Sequence, residues 1–162
     1  MDEELVLDGY RPGALARVIA LHMDDYGPAW GFGLAFESKL AREMGAFLAR
    51  LDPERDLFLA AYRADGTLIA SITIDGIAGG EGGAHLRWFI VAERGRGVGR
   101  RLLARACAFV DARGYPLTYL TTFAGLDPAR RLYEQAGFRL TAERADDAWS
   151  GSVGEQRFER RP

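Results

Sequence analysis

The chain has 162 residues, of which 48% are hydrophobic and 27% are charged, and its formal net charge is −2. These values are ordinary for a globular protein, and the length fits one domain whose core needs no disulfide bonds. They exclude a disordered chain and a generally cationic surface for nucleic acid or anionic membranes, although all but one of the 21 basic residues are arginine.

Cysteine content and the start of the chain indicate a cellular compartment. A single cysteine, Cys107, cannot form a disulfide within the chain. The opening segment MDEELVLDGY is acidic, whereas a signal peptide needs positive charge followed by a long apolar run. No segment approaches the roughly eighteen apolar residues of a membrane span. We therefore expect a cytoplasmic protein with no membrane or nucleic-acid partner and no bound metal.

The first third of the chain predicts a short strand and two helices. Residues 5–7 have the composition of a strand, and Pro12 stands where a helix commonly begins. Gly27 and Pro28 are expected to end that helix. A second helix is predicted over residues 36–51, where apolar residues repeat at intervals of three and four.

Three strands are predicted next. The segment LFLAAYRADGTLIASITIDG contains two runs rich in β-forming residues, separated by Asp65 and Gly66, which are typical of a hairpin turn. A third run, HLRWFIV at residues 85–91, follows the glycine-rich link GIAGGEGG. Together they predict an antiparallel meander.

The last third predicts two helices that alternate with strands. One helix begins in the segment ERGRGVGRRLL and ends at Gly114, and LTYLTTF is a strand by composition. Asp127 and Pro128 are a typical N-cap and first-turn pair for a short helix that ends at Gly137. FRLTAER and EQRFERR predict two final strands. Since no repeat or linker divides the chain, we expect one domain over residues 1–162.

The glycine-rich segment at residues 93–103 is suited to an anion. A strand, then glycines, then a helix start directs backbone N–H groups and the positive end of the helix dipole at one point. Glycine also permits positive φ angles and close approach of a ligand to the main chain. Phosphate is the natural anion. Arg94, Arg96, Arg100 and Arg101 either bind its oxygens or form a solvated helix face.

Two common phosphate-binding motifs do not fit this segment. A P-loop requires Gly-Lys-Ser or Gly-Lys-Thr, but Gly99 is followed by Arg100 and Arg101. The dinucleotide-binding fingerprint requires a third glycine where Arg100 or Leu102 stands. The preceding strand also belongs to an antiparallel meander, not to a βαβ unit.

The segment instead resembles the signature of the GNAT superfamily of acyl-coenzyme A-dependent N-acetyltransferases. That signature is Arg or Gln, two residues, Gly, one residue, then Gly or Ala, and here it reads from Arg94 to Gly99. A second family motif, Ala-x-x-Leu-Tyr-Glu-x-x-Gly-Phe, matches residues 129–138. The order of predicted elements agrees along nearly the whole chain. The sequence is especially similar to those of GNAT domains fused to MarR-type regulators, here without the DNA-binding part.

The resemblance implies an α/β (α+β) fold, with a mixed central sheet of about seven strands flanked by about four helices. The sheet would be splayed to hold acyl-coenzyme A, with acetyl-CoA as co-substrate. Its diphosphate would lie on the glycine loop, and its pantetheine arm would pair with strand backbone as an added strand does. The coenzyme-binding residues implied are Phe89, Ile90, Val91, Arg94, Gly95, Arg96, Gly97, Val98, Gly99 and Arg100.

Two departures from the family pattern concern the coenzyme. Only Ala92 and Glu93 separate Val91 from Arg94, so the loop is expected to be tighter than usual. Leu126 stands where many members have an asparagine that reaches the pantetheine arm. One polar contact to the coenzyme is therefore expected to be absent.

The resemblance also assigns catalytic roles. Tyr133 occupies the position of the family's general acid, which protonates the departing thiolate; packing of the short helix is the alternative role. Freeing an alkylamine of pKa about 10.4 from its proton at pH 7 costs roughly 4.6 kcal/mol, so a base or a desolvating pocket must help. The candidate bases are Glu81, His85 and Glu93, with a water chain leading to one of them as the alternative.

The acceptor is expected to bind the segment between the first two helices. Asp25, Tyr26, Trp30 and Phe36 combine negative charge with aromatic faces, a mixture suited to a cation. An acidic helix end with core aromatics is the other interpretation. His22 is interpreted as a packing or helix-end residue, since no metal-ligand spacing accompanies it.

The predicted function is transfer of an acetyl group from acetyl-CoA to a primary amine of a small molecule or amino acid, by direct attack in a ternary complex. Two alternatives stay open at this point. One is a non-catalytic module that senses acyl-CoA or a metabolite, and the other is a protein or peptide N-acetyltransferase. A homodimer is expected only because dimers are common in families of this kind.

Overall fold

A seven-stranded mixed sheet lies between two pairs of helices in the computed structural model, which describes residues 4–30, 33–77, 83–93, 96–123, 127–144 and 154–162. The strands are β1 (Val6–Asp8), β2 (Leu57–Tyr62), β3 (Leu68–Asp75), β4 (Ala84–Val91), β5 (Thr118–Phe123), β6 (Arg139–Arg144) and β7 (Glu155–Arg160). The helices are α1 (Ala14–Trp30), α2 (Leu34–Ala49), α3 (Val98–Arg113) and α4 (Asp127–Gln135).

The strands follow the order β1-β2-β3-β4-β5-β7-β6 across the sheet. Every neighbouring pair is antiparallel except β4 and β5, which are parallel and are joined through α3. The predicted mixed sheet of about seven strands flanked by about four helices is therefore confirmed. No helix within the described ranges is long and apolar enough to cross a membrane.

Most element boundaries lie within one or two residues of those predicted, but the end predicted for the first helix is wrong. α1 continues through Gly27 and Pro28 to Trp30. Proline fixes φ near −65°, which is compatible with a helix, but its missing N–H removes one hydrogen bond and its ring crowds the carbonyl four residues earlier. The last turn of α1 forms despite this cost.

Both faces of the sheet are covered by apolar side chains. On one face, α3 and α4 pack over a cluster that includes Leu102, Leu120 and Phe158. On the other face, α1 and α2 cover a second cluster that includes Val18 and Phe47. Every residue of β3 is buried, as expected for a central strand with helices on both sides.

A buried ionic network ties the end of α2 to the sheet. The Asp56 carboxylate accepts hydrogen bonds from the Arg55 guanidinium at 2.8 Å and from the Gly76 N–H at 2.9 Å. Arg50 bridges two fully buried carboxylates, lying 2.7 Å from Asp75 and 3.9 Å from Asp56. These contacts compensate the cost of burying charge and fix the start of β2 beside the end of β3.

Gly76 is the position in this network with the least room for a side chain. A Cβ there would lie 2.2 Å from the Tyr115 hydroxyl and 2.7 Å from the Arg55 carbonyl oxygen. We expect Gly76→Ala to lower the free energy of unfolding by about 1–3 kcal/mol, because the backbone must shift. Urea unfolding followed by circular dichroism measures the change.

Gly45→Ala is the matched control for this substitution. Gly45 lies in α2, and its added Cβ would meet only the Leu15 side chain, at an ordinary distance of 3.9 Å. This variant should gain roughly 0.5–1 kcal/mol because glycine is a poor residue inside a helix. Equal and unfavourable changes in both variants would contradict the explanation.

Candidate active site

The sheet opens where β4 and β5 separate. These parallel strands pair only at Ala84↔Thr118 and His85↔Tyr119. Beyond that point β4 continues along β3, while β5 continues along β7 as far as Phe123. The β5-facing backbone edge of β4 over residues 86–91 therefore has no partner strand among the described residues. The predicted splaying of the sheet is confirmed.

A β-bulge changes the direction of β4 at this opening. The register passes from Thr73↔Arg87 to Ser71↔Ile90, so that two residues of β4 lie opposite one residue of β3. One of the two, Trp88, has a φ of 50°. A bulky residue in this region costs on the order of 1–3 kcal/mol, so surrounding contacts must hold it there.

Trp88 is held by charged and aromatic neighbours. The Arg87 guanidinium lies 4.2 Å from the centre of its ring. That guanidinium is itself bound by Glu43 of α2 at 2.6 Å and by Asp75 of β3 at 3.4 Å. The Phe47 ring meets the indole edge-to-face, with centroids 5.8 Å apart. An ion pair from a helix and one from the sheet thus fix the bulge.

A cavity of about 250 Å³ occupies the opening. Its walls come from both faces of the sheet, which shows that it passes between the separated strands. The described residues that line it are His22 of α1, Phe36, Lys39, Leu40 and Glu43 of α2, residues 85–89 of β4, Leu120, Thr121 and Thr122 of β5, Tyr133 of α4 and Glu155 of β7.

A larger cavity, of about 620 Å³, lies elsewhere, between the end of α2 and the start of β2. Its described lining is mostly apolar and includes Leu48, Leu51 and Phe58. None of the catalytic residues predicted from the sequence is among the described residues that line it. The smaller cavity is therefore the candidate active site.

The N-terminus of α3 opens toward solvent beside β4. Its N-cap, Gly97, has a φ of 72°, and no side chain caps the helix there. The first hydrogen bond of the helix runs from the Arg101 N–H to the Gly97 carbonyl at 3.1 Å. The N–H groups of residues 98–100 consequently have no acceptor within the helix. A Cβ on Gly97 would meet nothing within 4 Å among the described residues.

Gly99 has a structural role that differs from that of Gly97. It is buried, and a Cβ there would lie 3.3 Å from Leu132 and from Val91 and 3.4 Å from Phe89. Glycine at this position lets the first turn of α3 approach both β4 and α4 closely. The anion-binding geometry of the loop and its packing on the sheet thus depend on two separate glycines.

Tyr133 forms one wall of the cavity and has only 5% of its surface exposed. Its ring centroid lies 6.0 Å from that of Phe89, 5.9 Å from that of Phe138 and 6.0 Å from that of Phe158. These contacts from β4, β7 and the segment after α4 fix the ring. This position is compatible with both roles predicted for Tyr133, that of general acid and that of a packing residue.

His85 lines the same cavity at the point where the strands separate. Its imidazole stacks on the Tyr119 ring with centroids 4.3 Å apart. Burial, reinforced by the charge of Arg87, lowers the pKa of His85 from 6.5 to about 3. The imidazole is therefore neutral at pH 7, and it is a much weaker base than an exposed histidine.

His22 is a second neutral histidine at the cavity. It is buried in α1, where its Nδ1–H donates a hydrogen bond of 2.8 Å to the Val18 carbonyl. Burial lowers its pKa to about 4. The interpretation of His22 as a packing residue agrees with this burial, but its place at the cavity was not predicted.

Residues 15–138 match the model of the acetyltransferase (GNAT) family. The chain belongs to the GNAT family. No curated protein sequence matches it.

Solved structures share the GNAT fold along nearly the whole chain. An acetyltransferase of the GNAT family from Staphylococcus aureus Mu50 has a TM-score of 0.76 at 16% identity, covering 98% of this chain and 99% of that one. A GCN5-related N-acetyltransferase from Kribbella flavida has a TM-score of 0.73 at 20% identity, covering 98% of each chain. Spermidine N-acetyltransferase from Vibrio cholerae, in complex with CoA and spermine, has a TM-score of 0.70 at 19% identity, covering 96% and 94%.

Among the residues expected to bind coenzyme in this GNAT chain, Phe89 and Val91 lie beside Gly99 of α3. Phe89 and Val91 pack toward α3 and α4, and Ile90 packs toward the α1 and α2 side. The loop residues from Arg96 to Arg100 begin five positions after Val91 and include the start of α3. Arg94 and Gly95 lie outside the described residues.

Glu93, one of the predicted bases, is engaged by arginines. Arg96 lies 3.1 Å from its carboxylate, and Arg63 forms a second ion pair with it. Glu93 is not among the described residues that line the cavity. Glu81, another predicted base, lies outside the described residues.

The predicted acceptor-binding residues of the GNAT fold are only partly brought together. Phe36 is 5% exposed and lines the cavity. Asp25 is exposed on α1. Tyr26 and Trp30 belong to the last turns of α1, but their side chains lie outside the described part of the structure.

Several residues at the cavity were not predicted. They come from four different elements and form no local motif: Lys39, Glu43, Arg87, Thr121, Thr122 and Glu155. The alternation of β4 indicated that Arg87 shares a face with His85, but nothing in the sequence indicated the bulge that follows it. In the described part of the chain no group of three or more potential ligands is placed to hold a metal ion.

The lowered pKa values of His22 and His85 predict a pH-dependent stability. Above pH 6.5 both are neutral in the folded and unfolded states. As the pH falls below 6.5, both histidines bind protons in the unfolded chain. In the folded chain His22 binds a proton only near pH 4 and His85 only near pH 3. The free energy of unfolding should therefore decrease between pH 7 and 5, by roughly 1–2 kcal/mol for each histidine.

Urea unfolding of the wild type and of His85→Phe at pH 7 and 5 measures this effect. Phenylalanine preserves the stack on Tyr119 and binds no proton, so the variant should lose less stability on acidification than the wild type. An identical loss in both proteins would show that His85 is not buried in its neutral form.

Proposed function

We propose that this protein is an acyl-CoA-dependent N-acetyltransferase that acetylates the primary amine of a small molecule or amino acid. The observation that carries this proposal is the cavity between β4 and β5, with Tyr133 in its wall, beside the uncapped N-terminus of α3. The family match and the fold of solved N-acetyltransferases support it.

The loop and the strand edge fit the coenzyme. A diphosphate would be bound by the N–H groups of residues 98–100, with Gly97 leaving room for it and the dipole of α3 favouring its charge. Phe89, Ile90 and Val91 would border the pantetheine arm, whose amides would pair with the unpartnered edge of β4. The arginines of the loop would add charge at its rim.

Acetyl-CoA, when bound, supplies a thioester whose carbonyl carbon bonds to the amine nitrogen as the carbon–sulfur bond breaks. In this proposal the Tyr133 hydroxyl donates its proton to the departing sulfur. The ordinary pKa values of tyrosine and of a thiol, about 10 and about 8.5, make this transfer unfavourable by about 2 kcal/mol, which is small enough for a general acid. The phenolate then regains a proton from solvent. Backbone N–H groups near the bulge would polarise the carbonyl oxygen.

The amine must lose a proton before it attacks. His85 stays a predicted base, but its pKa of about 3 gives it little capacity to hold a proton taken from an amine. The ion pairs of Glu93 make that carboxylate a poor base as well. The apolar walls formed by Phe36 and Leu40 would instead favour the neutral amine by desolvation, with water carrying the proton away.

The volume of the cavity supports a small acceptor. The 250 Å³ bounded by described residues lies below the usual range of about 300–1,000 Å³ for ligand pockets. A peptide or protein acceptor would need an extended groove. Thiol release from acetyl-CoA, measured over a panel of amines, amino acids and peptides, tests the proposal. Tight CoA binding without turnover of any acceptor would instead favour a sensing module. The presence of Leu126 where many family members have an asparagine also favours that alternative.

Gly97→Val tests the coenzyme loop. A β-branched residue at a φ of 72° is strained, and its side chain would occupy the space above the free N–H groups. We expect a loss of CoA affinity of about tenfold or more, equivalent to about 1.4 kcal/mol, measured by calorimetric titration.

Gly114→Val is the matched control at the other end of α3. Gly114 has a φ of 77° and similarly open surroundings, so this variant should lose a comparable 1–2 kcal/mol or so of stability. It should bind CoA as the wild type does. A similar loss of affinity in both variants would mean that helix stability, not the loop, controls binding.

Tyr133→Phe tests the general acid. The ring contacts with Phe89, Phe138 and Phe158 are preserved, so the fold should be retained. We expect kcat to fall by about a hundredfold while CoA affinity is unchanged.

Tyr62→Phe is the control for loss of a tyrosine hydroxyl. The Tyr62 hydroxyl donates a hydrogen bond of 2.7 Å to the Gly9 carbonyl, away from the cavity. This variant should lose about 1 kcal/mol of stability and no turnover. Equal loss of turnover and CoA affinity in Tyr133→Phe would make the role of Tyr133 structural.

A further inference from the structure

Glu155 is the first residue of β7 and lies at the end of the sheet opening. Its backbone is in register with Phe123 of β5 on one side and Arg144 of β6 on the other. Its half-buried side chain lines the same cavity as Tyr133. Glu155 belonged to none of the groups of residues that the sequence patterns singled out for chemistry.

Side chains alternate between the two faces of the sheet along β7, and Glu155 lies on the face that α1 and α2 cover. Phe158 packs in the cluster beneath α3 and α4, and Gln156 shares its face of the strand. Arg157, two residues from Glu155, lies on the opposite face, where its guanidinium covers the Tyr119 ring at 4.1 Å. Glu155 and Tyr133 therefore enter the cavity from opposite faces of the sheet.

The charges at the cavity are otherwise engaged with one another. The other carboxylate in the described lining is that of Glu43, which is bound by Arg87 at 2.6 Å and by Lys39 at 3.6 Å. Arg157, the nearest basic residue along β7, is bound to Glu159 at 3.0 Å. Among the described residues no ion pair or hydrogen bond reaches the side chain of Glu155. Within the described part of the chain, this carboxylate faces the cavity without a bound arginine.

We propose that Glu155 binds the ammonium group of the acceptor as it enters the cavity, before water removes its proton, and that the acceptor carries a single positive charge. This inference rests on the proposed function of the same cavity. A carboxylate in a partly desolvated site binds an ammonium by a charge-assisted hydrogen bond. A second ammonium on the acceptor would meet the cationic groups of Lys39 and Arg87 on the α2 side, whereas an apolar body would lie against Phe36 and Trp88.

Glu155→Gln is the test, because it removes the charge and keeps the shape. Benzylamine, which is an ammonium at pH 7, and aniline, which is neutral there, are the two acceptors. We expect the KM for benzylamine to rise about tenfold or more in the variant and the KM for aniline to stay unchanged. Equal increases for both acceptors would overturn the proposal, since they would indicate a general disturbance of the cavity.

Glu143→Gln is the matched control. Glu143 lies on the neighbouring strand β6, outside the described lining of the cavity, and it accepts a hydrogen bond of 3.1 Å from the Gln156 amide. A glutamine keeps that acceptor and removes the same charge. The KM values of this variant should equal those of the wild type. If Glu143→Gln raises the KM for benzylamine as much as Glu155→Gln does, the specific role of Glu155 is refuted.

Spermidine tests the single-charge part of the proposal. Its KM with the wild-type protein should exceed that of benzylamine, and the reverse order would overturn this part.

Calorimetric titration of benzylamine into the protein saturated with CoA separates the inference from the proposed function. Binding that is lost in Glu155→Gln supports Glu155 even if no acceptor is turned over, and absence of binding to the wild type refutes it.

Discussion

The separation of β4 from β5 is the constraint on which the candidate site depends. Parallel strands normally satisfy each other's backbone groups along their whole length, but these two share only two residue pairs. The edge of β4 that faces the opening must find other hydrogen-bond partners, in water or in a ligand. A coenzyme that presents amides along this edge would replace the missing strand, and the same opening would give an acceptor access from the other face of the sheet.

The charged network on β4 maintains that opening. Arg87 is bound by Asp75 on the neighbouring strand and by Glu43 on α2, and its guanidinium lies over Trp88. Trp88 has a left-handed backbone conformation that is unfavourable for a tryptophan. The ion pairs therefore stabilise a strained backbone conformation that shapes the site, in addition to any contribution to global stability.

Local patterns predicted most of the fold because single residues determined the turns. The hairpin at Asp65 and Gly66 and the glycine C-cap at Gly114 each need a positive φ, which is visible in the sequence as glycine. Pro28 misled the prediction because a proline near a helix end can be tolerated. The family motifs likewise indicated the glycine loop and Tyr133, since both depend on residues close together in the chain.

The remainder of the site could not be predicted because it is assembled by tertiary contacts. Glu155 and Glu43 are more than a hundred residues apart, and they differ in that, among the described residues, an arginine binds Glu43 and none binds Glu155. The neutral state of His85 similarly arises from burial against Tyr119 and the nearby charge of Arg87. Neither property has a signature in the residues adjacent to it.

The ends of α3 also influence how this sequence can diverge. Both its N-cap and its C-cap are glycines with positive φ, so main-chain conformation at two points sets where the helix starts and stops. The exposed side chains between them, such as Arg100, Arg101 and Arg105, do not determine the register of the helix on the sheet. Mutational drift at these surface positions is therefore compatible with an unchanged N-terminus of α3, whereas replacement of Gly97 is not.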